Sequence, residues 1–124
     1  MKIARSMALA LLAFGAVLHS YTHLVEAEAF HVGFWLLSMS PYLVGAVVLF
    51  ALDRPHATAG ALLLPAFLDV GAFYSAFINP QNSTASLALG FVPIINLCVL
   101  VPIGGAIGWW VGYRIRITSE GHAV

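Results

Sequence analysis

Four apolar runs, each long enough to cross a bilayer and each set off by a few polar residues, constrain this 124-residue chain more than any other feature. A spanning helix needs about 20 predominantly apolar residues. The runs near residues 6–26, 32–52, 58–78 and 86–112 reach that length. Glu26 and Glu28 end the first, Asp53-Arg54-Pro55-His56 the second, and Asn79-Pro80-Gln81-Asn82-Ser83-Thr84 the third. Only 8% of the residues are charged and mean hydropathy is +0.96, against roughly 25% charged in soluble chains. The expected fold class is all-α: an integral membrane protein with one domain over residues 1–124. Short connections predict an antiparallel four-helix bundle with its backbone polar groups satisfied inside the helices.

The five basic residues give this bundle a direction. Lys2, Arg5, Arg54, Arg114 and Arg116 all fall where the four runs return the chain to one side, and the connections on the other side, Glu26 to His31 and Asn79 to Thr84, contain no Lys or Arg. The positive-inside rule then puts both termini in the cytoplasm. Phe30, Phe34, Trp35, Tyr74 and Phe77 near the outer interface, and Trp109, Trp110 and Tyr113 near the inner one, read as aromatic belts. Lys2 and Arg5 followed by Met7 to Leu18 also fit the start of a secretory signal, with Ala27-Glu28-Ala29 as the cleavage site, which would leave three spans. Basic residues are too few for nucleic acid or for a polybasic lipid-binding tail. The single cysteine, Cys98, lies in an apolar run and reads as a small core residue.

Polar residues within the spans carry the functional signal, because ionisable groups there are costly and commonly functional. Asp69 lies near the middle of the third run, one turn after Pro65, whose missing N–H leaves a carbonyl free and permits a kink. It reads either as a proton-binding or substrate-facing acid or as a hydrogen-bonding partner of another helix. His19, His23 and Glu26, spaced i, i+4 and i+7, share one face of the first helix. Two imidazoles and a carboxylate in that arrangement can hold a metal ion or haem iron, or they can hydrogen-bond within the bundle. At about 1.5 Å rise per residue, His19, Ser38, Asp69 and Asn96 fall at similar depth, with Tyr42 close enough to join them. They form one intramembrane polar layer, and Pro41 and Pro93 can open the helices beside it.

Gly104, Gly108 and Gly112 make a doubled G-x3-G ridge on the fourth run, where helix backbones approach closely. The ridge favours self-association or membership of a larger membrane complex, although its neighbour can equally belong to the same chain.

The segment 82–96, NSTASLALGFVPIIN, resembles one in small uncharacterised bacterial inner-membrane proteins with an S-T-A-x-L-A-L-x-F-x-P stretch before their last apolar run. That resemblance implies a bacterial inner membrane and no particular activity or ligand. Asn82-Ser83-Thr84 matches a glycosylation sequon, but helix capping by Ser83 or Thr84 is the better physical reading. In length and span number the chain also resembles small multidrug exporters. Those place their essential acid on the first helix, whereas the acid here is on the third. No nucleophile–base pair, phosphate loop or dinucleotide fingerprint is present, which leans against an enzyme. Three functions stay open: an accessory or helix-binding scaffolding subunit, a small proton-linked transporter or channel using Asp69, and a haem, metal or quinone site at His19 and His23. The first is the leading expectation.

Overall fold

A computed structural model describes residues 1–26, 31–79 and 85–121, and among these the chain is entirely helical with no strand. Helix α1 (Lys2–Tyr21) continues into a π-helical turn, Thr22–Glu26; α2 covers Val32–Phe50; α3 (Pro55–Phe73) continues into a second π turn, Tyr74–Ile78. The last span is built from α4 (Ala85–Ile95), a third π turn (Asn96–Leu100) and α5 (Val101–Gly121). Four helices are long and apolar enough to cross a membrane: Lys2–Val25, Val32–Phe50, Pro55–Ile78 and Leu89–Ser119. The first starts earlier and the last runs further than the apolar runs suggest. Lys2, Arg114 and Arg116 have helix-compatible straight chains, so the helix outlasts the hydrophobic stretch. Ala27-Glu28-Ala29, Phe30, the Asn82-Ser83-Thr84 capping segment and His122 lie outside the described residues, as does the Glu26 side chain.

Helix α3 is the hub of the bundle, packing against α1, α2 and α5. Thr58, Leu62, Pro65, Asp69 and Ala72, at alternating spacings of four and three, form a single buried stripe along it. Small residues let the neighbours close in. Leu49 of α2, Ala8 of α1 and Ala59 of α3 form a buried cluster with Leu12 beside it. Thr58, fully buried, donates to the carbonyl oxygens of Arg54 and Gly45, at 3.1 and 3.4 Å, tying α3 to α2. Only 22% to 33% of each span's most apolar window is buried inside the protein, so most of its side chains face outward as hydrocarbon-facing residues do.

Two local devices shape the ends and bends. Pro41 cannot donate to the Leu37 carbonyl, and the Ser40 hydroxyl takes that role at 2.7 Å, which keeps α2 continuous through the proline. The turn between α2 and α3 places Asp53 at φ 49°, a left-handed conformation that Asp tolerates better than most residues. There Arg5 donates to the Asp53 carboxylate at 3.4 Å, so the start of α1 meets the α2–α3 turn. Both side chains are more than half exposed, and the ion pair contributes at most about 1 kcal/mol.

The glycine ridge is occupied within the chain. A Cβ on Gly104 would strike the Gly60 carbonyl oxygen, and one on Gly108 would strike that of His56. Gly112 faces the His56 side chain. The three glycines therefore seat α5 on α3, and Gly60 is the reciprocal small residue on the other side.

Candidate functional site

Asp69 is 3% exposed, and three helices bring a polar side chain to it. Tyr42 of α2 donates its hydroxyl to Asp69 Oδ2 at 2.6 Å, and Asn96 donates its amide N–H to Oδ1 at 2.7 Å. His19 of α1 places Nε2 3.1 Å from Oδ2, with its ring 5.4 Å from that of Tyr42. All four side chains are buried. A carboxylate in a low-dielectric interior is tolerable only when donors surround it, and here each of the other three spans supplies one.

Backbone features aim these groups. Gly15, one turn before His19 on the same face, gives the Tyr42 ring its space: a Cβ there would collide with the ring carbons. Asn96 opens the π turn that follows Pro93, and a π turn shifts the register so that a side chain can turn inward. Its Oδ1 is buried with no hydrogen-bond partner among the described residues. An orphaned acceptor of this kind costs about 1–3 kcal/mol.

One turn away from the acid, the layer splits. Ser38 does not reach Asp69; its hydroxyl lies 3.2 Å from His23 Nε2 and forms a second, part-buried pair. His19, Tyr42, Asp69 and Asn96 are thus joined in one network, whereas Ser38, expected in the same layer, belongs to the His23 pair. Among the described residues no group of three or more His, Cys, Asp or Glu side chains could hold a metal ion. His19 turns its Nε2 to Asp69.

Both polar pairs line one cavity of about 540 Å³. Asp69, His19, His23 and Ser38 form its polar part, while Phe34, Phe73, Phe77, Phe91 and Pro93 make its walls apolar and aromatic. Phe34 and Phe77, which the sequence suggests as belt residues, are walls of this cleft. The cleft lies at the helix ends remote from Arg5 and Asp53, between the end of α1 and residues 89–93 of α4. Gly15 and the phenylalanine walls are the parts that sequence reasoning missed. The only available signal was the i, i+4 spacing from Gly15 to His19.

No family model, curated protein or solved structure matches this chain. What the arrangement can do follows from its own chemistry. Tyr42 and Asn96 donate to the carboxylate, and a proton between His19 and Asp69 can sit on either partner, leaving the pair neutral overall in both cases. Such a pair can exchange a proton with a polar group entering the cleft.

Tightness around Tyr42 gives a direct check on this geometry. Gly15→Ala is expected to destabilise the protein by about 1–3 kcal/mol through overpacking. In a Tyr42→Ala background the same change should cost less than half as much, because the ring that it strikes is gone. Thermal denaturation of the four proteins in mild detergent measures both, and additive effects would remove Gly15 from the site.

Proposed function

We propose that this chain is a bacterial inner-membrane protein whose four spans run antiparallel with both termini in the cytoplasm. In our reading it takes a small amphipathic molecule from the bilayer into the cleft beside Asp69 and couples binding to protonation of the His19–Asp69 pair. The observation that carries this reading is the convergence of His19, Tyr42 and Asn96, from three spans, on one buried carboxylate in the wall of an apolar cleft. Buried ionisable groups in spans that border a cavity are a recurrent feature of proton-linked pathways. A purely structural hydrogen bond would not require a cavity beside it.

Asn96 fits both protonation states. Beside an ionised Asp69 its amide nitrogen donates to Oδ1 and its own oxygen is left unpaired. Once Oδ1 carries a proton, a half-turn of the amide presents that oxygen as the acceptor. The His23–Ser38 pair supplies a second donor and acceptor for a hydroxyl or carbonyl on the ligand, and the phenylalanine walls suit its apolar body.

The accessory-subunit alternative drew its support from the glycine ridge, and α3 takes up that ridge inside the chain. Weight therefore moves to the acid. Infrared difference spectra of the detergent-solubilised protein during acid titration test the assignment. The wild type should show a carboxyl C=O band that is missing from Asp69→Asn, with helicity unchanged. Spectra identical in the two proteins across the folded range would refute the proton role.

A further inference from the structure

At the opposite end of the bundle, the start of α3 and the end of α5 enclose a second cavity of about 640 Å³, lined by Arg54, His56, Trp109, Tyr113 and Arg116. Arg54 and Arg116, 62 positions apart in sequence, thus share one chamber. Asp53 is the carboxylate on its rim, and it is engaged by Arg5 at 3.4 Å. Arg54 and Arg116 have no ion-pair partner among the described residues. Arg114 is spent elsewhere, lying 5.3 Å over the Trp110 ring. Among the described residues, the chamber therefore holds two guanidinium groups without an ion-pair partner.

The backbone adds to this bias. Arg54 and Pro55 open α3 with no side-chain cap and no acid in the first turn, so free N–H groups of a 19-residue helix lie at the cavity wall. Guanidinium forks and a helix N-terminus both favour an oxyanion over a neutral ligand. Leu52, Trp109 and Ile115, each more than half exposed, continue the same wall onto the flank of the bundle. A free inorganic anion makes no use of such a surface, whereas a phosphate bearing acyl chains does. The Trp109 and Tyr113 rings, stacked at 5.9 Å, also sit at the level expected of the headgroup region.

We propose that this cavity is a binding site for the phosphate of an anionic phospholipid, with Arg54 and Arg116 as its ligands. The inference rests on the chain's four membrane-crossing helices and is independent of the Asp69 site. Native mass spectrometry of the full chain, with phosphatidylglycerol or phosphatidylcholine of identical acyl chains, tests it. The wild type should retain phosphatidylglycerol in preference to phosphatidylcholine. An Arg54→Gln/Arg116→Gln variant should lose about thirtyfold in retention, from roughly fivefold per cationic side chain at an anionic surface. A Lys2→Gln/Arg114→Gln variant, which removes equal charge from the same end, should retain the lipid. If the first double variant does not fold, the single variants Arg54→Gln and Arg116→Gln should each lose about fivefold. Equal retention of the two lipids by the wild type overturns the proposal, as does equal loss in both double variants or no loss in either single variant. Displacement of the lipid by millimolar inorganic phosphate would mark a simple anion site and overturn it too.

Discussion

Gly108→Leu is expected to destabilise the bundle by about 3 kcal/mol or more, at the upper end of overpacking costs. A Cβ at Gly108 strikes the His56 carbonyl oxygen and lies 3.0 Å from its carbon, and these are backbone atoms of α3 that cannot rotate away. The helices would have to separate, and that separation would undo the neighbouring Gly60–Gly104 contact as well. Gly105 provides the contrast. A Cβ there meets Ala61 Cβ at an ordinary 3.6 Å, so Gly105→Ala should be neutral or stabilising by up to about 1 kcal/mol through helix propensity. Thermal denaturation in detergent distinguishes the two variants. Size-exclusion with light scattering should give Gly108→Leu the same particle mass as the wild type while it remains folded. A shift to a smaller species would mean that the ridge joins separate chains.

Asp69→Ala is the second large effect, and its size comes from what it strands. Tyr42 and Asn96 are 2% and 1% exposed and neither lines the cleft, so each loses its acceptor at a buried position. Each buried donor left unpaired costs about 1–3 kcal/mol, which gives roughly 2–6 kcal/mol for the pair. His19 borders the cleft and can be hydrated, so it adds little. Asp69→Asn keeps a side-chain oxygen at the same place and should lose far less stability. Replacing the network as a whole, Asp69→Leu with Tyr42→Phe and Asn96→Leu, should recover most of the loss, because no donor is then left without a partner. Equal destabilisation by Asp69→Ala and Asp69→Asn would show that the carboxylate is not the hub of the network.

The candidate site was half legible in the sequence. Counting along each run puts His19, Ser38, Asp69 and Asn96 at similar depth with Tyr42 close by, since rise per residue is fixed once a helix is assumed. That count could not separate Ser38 from the other four, because one helical turn, about 5.4 Å, is a small difference when depths are compared between helices and a large one for a hydrogen bond. Ser38 shares the face of α2 that carries Tyr42 but sits one turn along it, where it meets His23. The phenylalanine walls were hidden for a related reason: an aromatic ring near a helix end has the same composition whether it faces headgroups or a cleft. Gly15 was invisible because its role is to be absent where Tyr42 passes.

The sequence by itself determined how many helices can cross a membrane, roughly where they begin and end, and which polar groups they carry into its interior. Insertion depends on hydropathy summed along the axis, and that sum is readable one residue at a time. Only the tertiary structure decided how each helix is turned. In a bilayer the lipid is as apolar as the protein interior, so hydropathy exerts no torque on a helix. The turning comes from glycines that admit a neighbour's backbone and from donors that must find an acceptor. Those contacts seat α5 on α3 at Gly104 and Gly108, gather three spans around Asp69, and bring Arg54 to the same chamber as Arg116.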